Sequence, residues 1–426
     1  MSRGHLCTYW KKLMMLFVVF VISINYSSAV FANNSQQSQV DISATGSMEL
    51  LNLNLNAGEL SPDSNHVMVV GADGFTALLD ADNPSKKSIL NTNSIDELND
   101  VSWHPLSQSA LLVGDNGTVL KYSKEGNNVT RPIENANLFG ADIHAVDWRG
   151  SGQWAYVGGE SGTLYRYRAA DGYIKIENNM SSDITSISCH HIYDYCMFTT
   201  LEDGFGLIDR DHEIHLFGNS QYTWLASSCS VRGLDRCAFF GSNLAVAILD
   251  FSRADASLSK VNGAVTFLST STASEFSSVS ALSNEKTMLH LTPYGLVEYN
   301  IEEMAAYPWI NNDDVTKSSV LLSTTNPLLS WDTGNYDGWV ISSDGTIASY
   351  YPLYVEALSG WDEGPTILVM MVVIVVVPGS IIGLIFMFSD RAQNWWKVRA
   401  RAKRLKKIKD SSKKGKSPSS YKKKAK

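Results

Sequence analysis

Val101-Ser-Trp-His-Pro-Leu-Ser-Gln-Ser-Ala-Leu-Leu-Val-Gly-Asp-Asn-Gly-Thr-Val-Leu-Lys-Tyr122 is the stretch whose reading decides the fold. An alternating apolar segment runs into Trp-His-Pro and a turn of small residues. A second apolar segment follows, and Asp-Asn-Gly then turns the chain into a third strand that closes on an aromatic. The same pattern returns over residues 145–167, with Trp148, Gly162 and Tyr167 in matching places. Glycine in such turns supplies the positive φ that a tight hairpin needs. Aligning the turns along the chain gives Gly74, Gly117, Gly162, Gly204, Gly295 and Gly345, with Asn243 in the same place between Gly204 and Gly295. Successive spacings are 43, 45, 42, 39, 52 and 50 residues. A period of about 40–50 residues with several strands per unit is the mark of a β-propeller. Seven copies over residues 45–355 predict an all-β, seven-bladed ring, whose closure leaves only short, protected edges. A β-sandwich is the competing architecture, but seven copies at one period exceed what it supplies.

Trp-His-Pro with its small-residue turn, Ala-Leu-Leu-Val-Gly-Asp-Asn-Gly-Thr-Val and the closing aromatic resemble a WD40/YVTN-type propeller repeat. The resemblance covers most of residues 45–355. It is strongest in the second, third and last copies and weakest in the fifth and sixth. Trp-Asp at the ends of the closing strands and the Gly-His opening are missing, so the tetrad residues of regular WD40 repeats have no counterparts to carry over. The resemblance implies the propeller fold and a binding role.

The repeat frame pairs the cysteines. Trp103 and Ala110 flank the first turn of the second copy; Cys189 and Cys196 take those places in the fourth, and Cys229 and Cys237 in the fifth. Residues facing each other on neighbouring strands lie about 4–5.5 Å apart, within reach of a disulfide. The expected bonds are Cys189–Cys196 and Cys229–Cys237. An even number of cysteines in an exported body favours disulfides over a metal.

Export is read from the charge and hydropathy patterning. The 426-residue chain carries a net charge of −8, but residues 390–426 hold 16 Lys/Arg against Asp390 and Asp410, while residues 33–389 carry about −25. The run 13–24, preceded by Arg3, Lys11 and Lys12 and followed by small residues up to Ala32, reads as a secretory signal peptide over residues 1–32. The uncharged run 366–388 is 23 residues long, enough at about 1.5 Å per residue to span a hydrocarbon core of about 30 Å. Trp395, Trp396 and the lysines and arginines after it form the flank expected on the cytoplasmic side. The expected order is signal peptide 1–32, linker 33–44, propeller 45–355, transmembrane helix 366–388 and basic tail 389–426. That makes a single-pass type I protein, with its propeller at the cell surface or in the endoplasmic reticulum lumen and its tail in the cytoplasm. Sequons at Asn33, Asn116, Asn128 and Asn179 are compatible with glycosylation there.

No constellation for catalysis stands out. His212 and His215 would point to opposite faces of a strand. His190-His191 reads as a solvated turn, Asp80-Ala-Asp82-Asn83 lacks the Gly and distal Glu of a calcium loop, and Ser343-Asp344-Gly345-Thr346 reads as turn chemistry. The chain is therefore expected to be a non-enzymatic membrane-anchored receptor, scaffold or assembly and quality-control factor without a cofactor or metal. Its partners would be proteins on the extracytoplasmic side, and anionic lipid headgroups at the tail. An acidic body makes nucleic acid an unlikely partner for it. The alternative function is a propeller-type glycan hydrolase, which needs several acids and an arginine converging on the central channel.

Overall fold

The computed structural model describes residues 40–48, 53–132, 138, 140–229, 235–268, 274–281, 287–333, 337–353 and 389–413. The signal segment and the apolar run 366–388 lie outside the described residues. The chain forms two units, one up to Leu353 and one from Tyr354 onward.

The first unit is a ring of seven antiparallel sheets. Blade 2 is typical, its strands lying side by side in chain order as Leu98–Trp103, Ser109–Gly114, Thr118–Ser123 and Asn128–Thr130. The first strand of each blade packs against the first strands of its neighbours, and that of blade 7 returns to that of blade 1, so these seven strands enclose the axis. Blade 7 takes three strands from the C-terminal end (Pro327–Asp332, Gly338–Ser342, Thr346–Pro352) and its outer strand, Val40–Ser47, from the N-terminal end. Val40 pairs with Pro352 and Ser47 with Thr346, which fastens the ring. This corrects the linker read over residues 33–44, since strand begins at Val40. That strand has no turn glycine of its own, so alignment of the turns passes over it.

Alternation explains the core. In the second strand of blade 1, Val67 and Val69 pack toward blade 7 while Met68 and Val70 pack toward blade 2. A strand between two blades is buried on both faces, and so reads as a continuous apolar run. Among the described residues the core comprises seven apolar clusters, one at each interface between neighbouring blades.

The turn frame holds with one shift. Gly74, Gly117 and Gly162 have φ near 70°, each preceded by a left-handed residue (Asp73, Asn116, Ser161). In blade 5 that preceding place belongs to Asn243, and Leu244 (φ 57°) stands where the glycine was expected. Blades 5 and 6, the weakest sequence copies, are also the irregular ones. The outer edge of blade 5 is split into Lys260–Val261 and Thr266–Phe267, and Gly295 does not use a positive φ.

Two short helices, α1 (Asn312–Ser318) and α2 (Val320–Ser323), connect blades 6 and 7. In the second unit α3 (Asp390–Lys413) is a helix with Trp395, Trp396, Leu405 and the lysines and arginines from Lys397 to Lys407 exposed. Arg399 lies over the Trp395 ring at 4.7 Å. Among the described residues no helix is long and apolar enough to cross a membrane.

Candidate binding face and central channel

All seven blades bulge at one place. The ladder between first and second strand shifts register at Asn56, Asn99, His144, Thr185, Leu225, Ser277 and Leu328. A bulge re-aims its side chain, and here several reach the next blade. Asn56 Nδ2 donates to Leu98 O (3.0 Å), Asn99 Nδ2 to Ile143 O (2.9 Å), Thr185 Oγ1 to Trp224 O (2.7 Å) and Ser277 Oγ to Pro327 O (2.8 Å).

Beyond the bulge, each first strand lines a central channel of about 430 Å³. Six equivalent positions, three residues past the bulge, are Glu59, Ser102, Asp147, Ser188, Ser228 and Ser280. In blade 7 Trp331 holds that register and turns into the core, and Ser330, one residue earlier, lines the channel. Asp100 stands on the same wall nearer the bulge of blade 2. The acids gather on blades 1–3 and the serines dominate blades 4–7.

Each acid clamps its own blade to the next. Trp103 N–H donates to Glu59 Oε2 (2.6 Å), Val146 N–H to Asp100 Oδ2 (2.8 Å) and Cys189 N–H to Asp147 Oδ2 (2.6 Å). Ser102 Oγ donates to Asp147 Oδ1 (2.8 Å). Packed round by protein, the three carboxyls keep part of their surface on the lumen. Burial pushes the Asp100 carboxyl up to about 7. Burial, with Asp147 and Asp100 adding like charge, raises Glu59 well above the usual carboxylate range. Asp147 is raised by burial as well, against the pull of its backbone donors.

Antiparallel meanders put the turns after each first and third strand on one face of the ring. Channel-mouth residues Ser61, Pro62 and His191 belong to such turns. Two inter-blade grooves open on this face. One of about 290 Å³ lies between blades 1 and 2 and is lined by Pro62, Trp103, Pro105 and Leu106. The other, about 420 Å³ between blades 2 and 3, is lined by His104, Trp148, Gln153 and Tyr167. Leu106 is 75% exposed.

Between blades 3 and 4 the same face carries an arginine–aromatic cluster. Arg166 and Arg168 lie over the Trp154 ring at 5.1 and 4.5 Å, Arg149 over Tyr156 at 5.2 Å, and His212 packs on Trp154. Tyr156 Oη and His212 Nδ1 are hydrogen-bonded at 2.7 Å. Burial and the charges of Arg149 and Arg166 push His212 down to about 4, so its imidazole is neutral at pH 7.

The cysteines take their expected places. Cys189 faces Cys196 and Cys229 faces Cys237 across the ladder, where blade 2 pairs Trp103 with Ala110, and both pairs are bonded, with Cα–Cα distances of 3.9 and 4.0 Å. His190, expected in a solvated turn, is fully buried, its Nδ1 accepting the Ile192 and Tyr193 N–H groups. His212 lies in the bend before strand Ile214–Leu216 rather than on a strand with His215, and His215 Nε2 meets Asp209 Oδ2 at 2.9 Å. Asp209, Glu213 and His215 bring ligand atoms within 4.8 Å of one another. Asp209 escaped the sequence reading because its turn folds it back; Asp209 Oδ1 accepts the Asp211 and Glu213 N–H groups. Asp80 and Asp344 do ordinary turn chemistry, Asp80 capping Asp82 and Asn83 and Asp344 capping Thr346.

No protein-family model and no curated protein sequence matches the chain. Solved structures match its fold. The β-propeller domain of Myceliophteria thermophila Cps50 (Swd1) superposes with a TM-score of 0.54 at 9% identity, over 73% of this chain and 98% of that one. YCF48, solved bound to a D1 peptide, superposes with a TM-score of 0.51 at 10% identity, over 74% and 96%. At such identities the likeness establishes the seven-bladed all-β fold.

Proposed function

We propose that this chain is a membrane-anchored, extracytoplasmic propeller that binds a protein partner on the face carrying the grooves, the channel mouth and the arginine–aromatic cluster. It would serve as a receptor, scaffold or assembly factor. One observation carries this reading: two apolar-lined grooves and the Trp154 cluster lie side by side across blades 1–4 of one face. Tryptophan, tyrosine and arginine are the residues that dominate binding energy at protein interfaces. YCF48, whose fold is similar, is bound to a D1 peptide in its solved structure. Anchoring rests on the apolar run 366–388 and the basic residues after it. Exposed Trp395 and Trp396, with lysine and arginine round α3, suit the anionic inner leaflet, at about 1 kcal/mol per basic residue near the surface.

The test is chemical crosslinking in intact membranes, followed by partner identification, on the parent and a Leu106→Asp/Trp154→Ala variant. The parent should give a defined partner whose yield falls at least fivefold in the variant. Equal yields would refute the assigned face. For glycan hydrolysis, the alternative, the three channel carboxyls are a favourable feature. Among the described residues no arginine lines the channel beside them, and binding is the reading we carry.

A further inference from the structure

We propose that the central channel receives the cationic end of an arginine or lysine side chain presented by the protein partner, an inference that rests on the docking face above. The disposition of charge is its first support. Glu59, Asp100 and Asp147 occupy one arc of the wall, and among the described residues the lining contains neither lysine nor arginine to neutralise them. Their backbone donors leave acceptor capacity over: an ionised carboxylate offers about four lone-pair sites, and one backbone N–H is bonded to Glu59 and two to Asp100.

Ser227 is the second, independent support. It lines the channel from blade 5, on the far side of the ring, is 7% exposed, and its Oγ has no hydrogen-bond partner. A buried polar atom without a partner costs on the order of 1–3 kcal/mol. A guanidinium carries five N–H donors in a fixed fork, more than one carboxylate takes up, so a donor is left over for a hydroxyl.

Geometry separates an organic cation from a bare ion. Among the described residues, the cluster that brings three ligand atoms within 4.8 Å is Asp209, Glu213 and His215, away from the channel. The channel carboxyls stand wider than that, too far apart for one small ion to chelate all three. The channel volume of about 430 Å³ falls in the ~300–1,000 Å³ range of ligand sites.

The experiment uses the full chain in detergent and a dye-labelled, end-blocked peptide Gly-Gly-Ser-Arg-Ser-Gly-Gly, compared with the same peptide carrying citrulline, the neutral isostere of arginine. Fluorescence anisotropy should give at least tenfold tighter binding of the arginine peptide at pH 8. That affinity should weaken about tenfold by pH 6 as Asp100, faced by Glu59 and Asp147 with His191 beside Asp147, takes up a proton. Asp100→Asn should abolish the discrimination. Should that variant not fold, Ser227→Ala serves, with a severalfold loss for the arginine peptide and no change for citrulline. Equal binding of both peptides, binding of neither, or displacement by 1 mM Ca²⁺ would overturn the proposal. If it fails while partner crosslinking still responds to Leu106→Asp, the docking face stands and the channel assignment alone falls.

Discussion

Asp100 and His290 show how single buried groups shape the ring, and they act in opposite directions with pH. His290 lies fully buried between Ser278 Oγ (2.9 Å) and Ser330 Oγ (3.1 Å), and burial pushes it down to about 3. The native state declines a proton that the unfolded chain accepts below about 6.5, so this contribution to stability is lost as pH falls from about 6.5 toward 3. Asp100, raised to about 7, keeps in the native state a proton that the unfolded chain releases, so its contribution grows as pH falls from about 7 to 4. The two oppose each other between about pH 6.5 and 4. Asp100→Asn should therefore gain on the parent by about 2 kcal/mol between pH 5 and pH 8, read from urea midpoints; parallel profiles would refute the assignment. These acids were in plain sight as residue types. Gly-Glu-Leu60, Val-Ser-Trp103, Val-Asp-Trp148 and Ile-Ser-Cys189 align in the repeat frame and put Glu59 and Asp147 in one column with the serines. That the column lines a channel follows from closing the ring, which no single repeat encodes.

At the scale of the element, the hairpins were the legible part and the bulges were not. A glycine with φ near 70° at Gly74, Gly117 and Gly162 leaves a mark in the sequence because other residues resist that conformation. A bulge leaves none: its seven occupants range from Asn56 to Leu225, since the backbone makes the bulge and the side chain only exploits it. The cysteine columns were legible because two blades replace the Trp–Ala pair of blade 2. Each disulfide closes a short hairpin, so its stabilisation by loop entropy is about 2–3 kcal/mol. A non-reducing peptide map should recover Cys189–Cys196 and Cys229–Cys237. A Cys229→Ser/Cys237→Ser variant should unfold at lower urea by about that free energy. A map showing links between blades would contradict the register.

For the whole molecule, closure depends on the strand that alignment of the turns passes over. Val40–Ser47 pairs along its length with Thr346–Pro352 and buries Val40 and Ile42 in the core that blade 7 shares with blade 6. A chain processed to begin at Met48, expressed behind the same export segment, should lose on the order of 3–5 kcal/mol and expose Tyr350, monitored by proteolysis of the folded ring. Survival of parent-like resistance would mean that the ring closes without this strand. The period near 40–50 residues predicted the number of blades, because each blade must bury both faces against neighbours. It could not predict which face binds, since the grooves and the arginine–aromatic cluster arise from turns of different blades meeting only in the ring.

The docking face is tested most directly by a photo-crosslinking amino acid placed at one exposed position on each side of the ring in the full chain, in intact membranes. Leu106 stands on the grooved face, and Asn93, in the connection between blades 1 and 2, on the other. The account predicts a discrete protein adduct from position 106 and none from position 93. An adduct from 93 alone, or equal adducts from both, would contradict it.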